Sequence, residues 1–61
     1  MHDYLFECGS EAALNKFKQL VSDEELWSKH NPNSTSLTVC SIYESTAEWL
    51  YSELEKIKAA V

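Results

Sequence analysis

The sequence predicts a small two-layer α+β domain, a two-stranded sheet packed by helices in the order β-α-(short α)-β-α. Two segments read as strands, one from alternation and one from β-branched content. Two longer segments repeat apolar residues at the helical period. A chain of 61 residues allows one domain spanning 1–61.

The first strand is expected at about 3–8. Tyr4, Phe6 and Cys8 alternate with Asp3, Leu5 and Glu7, so the first set should face the core. Leu5 then falls on the opposite face, where an apolar residue is out of place. Gly9 ends the strand and allows a sharp turn. Ser10 is placed as the N-cap of a helix over about 11–21, with Ala13, Leu14, Phe17, Leu20 and Val21 as its apolar stripe.

That stripe breaks at Ser22. Ser22-Asp23-Glu24-Glu25 fits a capping box, and Val21 with Leu26 fits the hydrophobic staple that accompanies one. A second, short helix is therefore expected over about 23–29; a single bent helix from Glu11 to Lys29 is the alternative. Asn31-Pro32-Asn33-Ser34 reads as a turn.

The second strand is expected at about 36–43. Leu37, Val39, Ser41 and Tyr43 share one face, and Thr38, Cys40 and Ile42 the other. Joined through a helix, the two strands can pair parallel. Ser45-Thr46-Ala47-Glu48 reads as another capping box, opening a helix over about 46–60. Its stripe is Ala47, Leu50, Tyr51, Leu54, Ile57 and Val61, with Trp49 standing off it.

Composition narrows the function. Ten acidic residues face five lysines, there is no arginine, and the formal net charge is −5. Arginine supplies the bidentate fork that phosphates and guanine edges favour, so a nucleic-acid partner is not expected. Anionic membranes are disfavoured for the same reason, and no apolar run is long enough to span one. No signal peptide is visible at Met1-His2-Asp3-Tyr4, so the chain reads as a complete cytoplasmic protein. A basic protein partner is compatible with the charge.

Chemistry-bearing residues are sparse. The two cysteines, Cys8 and Cys40, are too few for a disulfide scaffold and read as buried free thiols. With His2 and His30 they form a two-His, two-Cys set, but no tight ligand pair of the kind structural zinc sites show. Neither cysteine is placed to lower its thiol pKa. Capping explains the Asp23-Glu24-Glu25 run without a catalytic role, and a single glycine cannot build a phosphate cradle. No catalytic residue, metal or cofactor is expected.

The aromatics carry the functional reading. Trp27, Trp49, Tyr43 and Tyr51 are many large rings for a domain this small, and Trp and Tyr are enriched in interface hot spots. With Leu5 they form the candidate interface. The expected function is a non-enzymatic protein-binding module, a small acidic regulator or inhibitor of a larger protein. A thiol or metal-binding protein using Cys8 and Cys40 with His2 and His30 is one alternative, and a structural subunit of a larger assembly is another. A core this small is marginal alone, so a homodimer built on the sheet and the final helix is also expected.

Overall fold

The alternation at Tyr4 and Phe6 does build a strand, and both apolar stripes build helices. The computed structural model describes residues 1–61. Its elements are β1 (His2–Glu7), α1 (Glu11–Asp23), β2 (Trp27–His30), β3 (Ser36–Ile42) and α2 (Glu44–Ala60). The architecture is a three-stranded sheet packed by two helices, with strand order β1-β3-β2. Both neighbouring pairs are antiparallel, which decides a strand relation that the sequence leaves open. The parallel relation holds instead between β1 and β2, which β3 separates.

The largest departure from expectation lies between Ser22 and Asn31. No helix forms over 23–29, and α1 does not continue through it. The chain leaves α1 in a Schellman motif. The Leu26 amide donates to the Val21 carbonyl at 3.1 Å and the Glu25 amide to the Ser22 carbonyl at 2.9 Å. Glu25 sits in the left-handed region at φ 58°. Buried Val21 and partly buried Leu26 are the apolar pair that accompanies this motif. The same pair therefore closes the end of a helix rather than stapling the start of one. Glycine is the residue that left-handed geometry favours. Glu25→Gly is expected to raise stability by about 1 kcal/mol, read as a higher urea midpoint with an unchanged slope.

Four residues then form β2, all of them exposed. The Asn31–Ser34 turn is where the sequence places it. It links β2 to β3 with Asn33 at φ 59°, and the Ser34 hydroxyl donates to the Asn31 carbonyl at 2.8 Å.

Ser10 caps α1 as expected, accepting from the Ala13 amide at 3.2 Å. The capping box expected for α2 is not used. That helix begins at Glu44, behind Tyr43, which makes no side-chain cap.

The faces of β3 also differ from expectation. Leu37 and Val39 are buried, but so is Ile42, while Ser41 and Tyr43 are exposed. Strand pairing shows why: His2 faces Ile42 and Tyr4 faces Val39, so β3 carries one extra residue there. Ser41 takes the left-handed conformation at φ 56°, and its amide donates to Asp3 Oδ1 at 3.0 Å. The bulge shifts the alternation by one residue and returns Ile42 to the core side.

The core holds 12 buried residues drawn from β1, α1, β3, α2 and the turn at Cys8, and none from β2. Helix residues and the inward residues Phe6, Leu37 and Val39 form one cluster, so both helices lie on the same face of the sheet. Phe6 is its centre, with ring centroids 5.1 Å from Phe17 and 4.4 Å from Tyr51. The other face of the sheet has no covering layer. Neither helix is long and apolar enough to cross a membrane.

Candidate interaction surface on the open sheet face

Register places each side chain of the open face. Leu5 pairs with Thr38, and Thr38 with Lys29, forming one row across the sheet. Cys40 pairs with Trp27 in the next row. Side chains alternate along a strand, so Leu5, Thr38, Lys29, Cys40 and Trp27 all project away from the helices. Leu5 and Trp27 stand about 10 Å apart across the strands and about 7 Å along them, with Thr38 and Cys40 filling the interval. Trp27 is 82% exposed and Leu5 57%.

Charge is arranged asymmetrically around this patch. Asp3 and Glu7 flank Leu5 along β1, and Lys29 stands on β2. Both carboxylates are fixed: Asp3 by the Ser41 amide, and Glu7 by the Thr35 hydroxyl, which donates to Oε2 at 2.8 Å. The Thr35 bond, with weaker help from the Gly9 and Cys8 amides, holds the Glu7 carboxyl below its ordinary range. Glu7 therefore keeps its negative charge beside the apolar patch into mildly acidic solution.

The remaining expected interface residues lie elsewhere. Tyr51 packs on Phe6 and donates its hydroxyl to the Leu5 carbonyl at 3.0 Å. It is an edge clasp as much as a surface residue, although 45% exposed. Trp49, 41% exposed, lies two positions away on α2 and so about 200° around it, on the opposite flank. Tyr43 is exposed at the β3–α2 junction. Of the five residues expected at an interface, Leu5 and Trp27 share one surface. The sequence reading left out Thr38 and Cys40, which only the three-strand register brings between them.

The thiol and imidazole set is dispersed. Cys8 follows β1 with its amide bonded to the Thr35 carbonyl, and its side chain is buried. Cys40 lies five positions further along β3 on the opposite face, about 17 Å away. It is only partly buried, against the expectation that both thiols lie in the core. Both thiols are free. His30 stands opposite Leu37 and His2 opposite Ile42, at opposite ends of β3. His30 Nε2 donates to the Ser34 carbonyl at 3.1 Å. No group of three or more His, Cys, Asp or Glu side chains gathers in a metal-binding arrangement. Burial, assisted by the Glu7 charge, pushes the Cys8 thiol pKa up, which disfavours the nucleophilic thiolate.

The largest surface depression, about 500 Å³, lies between the start of α1 and the end of α2. Cys8, Gly9, Ser10, Ala12, Lys58 and Val61 line it; Cys8 and Lys58 are its titratable side chains, and burial of the thiol with the Glu7 charge outweighs the Lys58 charge and keeps Cys8 protonated. No protein-family model matches the chain, nor does any curated protein or solved structure.

Proposed function

We propose that the chain is a non-enzymatic protein-binding module that engages a larger protein through the open face of its sheet, acting as a small acidic regulator or inhibitor. The observation that carries this reading is Trp27, 82% exposed on a sheet face that neither helix covers. A tryptophan offers about 150–250 Å² of contact area, worth roughly 4–6 kcal/mol if fully buried at about 25 cal/mol per Å². Leu5, Thr38 and Cys40 extend that area into a continuous strip. The fixed carboxylates of Asp3 and Glu7 at its β1 side favour a partner carrying basic residues there.

The dispersal of Cys8, Cys40, His2 and His30 gives a thiol or metal function no support. Assembly as a structural subunit would use the same surface and differ in stoichiometry.

The test compares immobilised wild-type chain with a Leu5→Ser/Trp27→Ser variant in an extract of the cells that encode it. Both substituted side chains are exposed, so the variant should keep its helical circular dichroism. The expected result is a discrete protein retained by the wild type and lost by the variant. Retention of the same proteins by both, or of none by either, would overturn the proposal.

A further inference from the structure

The two free edges of the sheet differ, and the difference has a chemical reading. Antiparallel pairing alternates residues bonded to the neighbouring strand with residues whose backbone groups point away from it. On β1, the Cys8 amide bonds the Thr35 carbonyl, so Leu5, at odd spacing from Cys8, turns its backbone outward. The Tyr51 hydroxyl takes the outward Leu5 carbonyl. Asp3 and Glu7 give the rest of that edge negative charge, which repels a second acidic chain. The β1 edge is closed.

The β2 edge is open. The Asn31 amide bonds the Ser36 carbonyl, so by the same alternation Trp27 and Lys29 bond inward to β3 while Ser28 and His30 turn outward. All four residues are exposed, and none is acidic in a chain of net charge −5. Lys29 is the only full charge on the strand.

We propose that β2 pairs antiparallel with β2 of a second copy of this chain about a two-fold axis at Ser28, joining two sheets into one of six strands. Only outward-facing residues can form the bonded pairs, which leaves few registers. Pairing Ser28 with His30 sets Lys29 opposite its own copy, a like-charge contact. Pairing His30 with itself sets Ser28 opposite Pro32, which has no amide hydrogen. Pairing Leu26 with Ser28 leaves no complete bonded pair, because the Leu26 amide is already bonded to Val21 and the Glu24 amide to Leu20.

Pairing Ser28 with itself keeps its own two bonds and avoids the like-charge and proline conflicts, while its neighbouring Leu26–His30 pairs keep only the bond from the His30 amide to the Leu26 carbonyl. It places Trp27 of each copy opposite Lys29 of the other on the open face, a reciprocal cation–π contact. Glu24 and Glu25 then fall opposite Pro32 and Asn31, so no carboxylates face each other. The charge on β2 thus complements the ring beside it in the partner, and the acidic edge is left outside. Trp27 keeps its outer surface free, so the joined sheet presents two copies of the open face side by side.

Edges of four residues bury less than a standard interface, so a dissociation constant on the order of 100 µM is expected. Sedimentation equilibrium over about 10 µM to 1 mM should show the mass rising from 7.0 kDa towards twice that value. Amide exchange at Ser28 and His30 should slow as concentration rises.

Ser28→Pro removes an outward donor that the internal ladder does not use, and proline is tolerated on such edges. It should weaken association at least tenfold. Lys29→Glu provides a second variant that leaves the Ser28 backbone unchanged, and it should weaken association as well. Ser28→Pro leaves every open-face side chain in place, so loss of the dimer is separable from loss of partner capture. A mass of 7.0 kDa at every concentration would overturn the proposal. So would a dimer that both variants leave intact, or one whose Ser28 and His30 amides exchange independently of concentration.

Discussion

Phe6→Ala is expected to leave the chain unfolded at room temperature. Phe6 is fully buried and packs against both helices, through Phe17 of α1 and Tyr51 of α2. Truncating a buried phenylalanine costs about 3–5 kcal/mol. The single core of a 61-residue domain rarely supplies more than about 3–5 kcal/mol of net stability, so the loss takes most of it. The reference is Leu5→Ala, one residue away on the uncovered face, which should change stability by less than about 0.5 kcal/mol. Far-UV circular dichroism and urea denaturation of the two variants make the comparison. A cooperatively folded Phe6→Ala with an unfolded Leu5→Ala would mean that the two faces of β1 have been exchanged.

The second large effect concerns the thiols. In native buffer, Cys40 should react with a small disulfide reagent as a partly accessible thiol. Cys8 should react more slowly by a factor of about 10²–10⁴, because it becomes available only through opening of the core. Burial also raises its pKa, which lowers the thiolate fraction further. The sign of the linked pH effect follows. The folded state holds the Cys8 proton to higher pH than the unfolded chain, so this stabilisation is complete below the ordinary thiol pKa. It is lost as pH rises from there through the folded value. Denaturant should bring the two rates together, and Cys40→Ser should leave only the slow phase. Equal native rates would contradict the burial of Cys8. A slow Cys40 with an unaltered fold would mean that something covers the open face.

The parts of the fold written in strong local patterns were legible in the sequence. Tyr4 and Phe6 alternate, Ala13, Leu14, Phe17 and Val21 repeat at the helical period, and Ala47, Leu50 and Leu54 do the same, so β1 and both helices stand where those patterns place them. The missing strand, β2, sends its one large apolar side chain away from the core and contributes nothing to it. A Trp-Ser-Lys-His segment has no alternation of the kind that marks a half-buried strand. Its stability comes from bonds to β3, a tertiary cause that local reading does not reach.

The error between Ser22 and Lys29 has a sharper cause. Val21 and Leu26 satisfy the apolar contact of a helix start and of a helix end equally well, and residue identity alone does not separate the two. Glu25 in a left-handed conformation hides the end further, since glycine is the usual signal there. Ser41 hides the bulge in β3 in the same way, and with it the return of Ile42 to the core. The candidate surface was legible in part. Leu5 stood out as an apolar residue on the wrong face of its strand, and Trp27 only as one of four large rings, inside a short helix that does not form. Trp49 and Tyr51 are separated by the turn of their own helix.

The strand order carries a consequence for how the chain comes to be folded as it is made. β3 is central in space but follows both strands that depend on it, and β1 and β2 have no bonds to each other. A nascent chain ending before Ser36 holds two strands with no partner and a helix whose sheet does not yet exist. Phe6 must wait for Leu37 across the whole of α1 and β2. Such non-local pairing is slow to form and leaves no stable half behind. Until the last strand and helix are released, α1 and β1 expose their apolar faces together, and that interval is when the molecule is most open to aggregation or to capture by a chaperone.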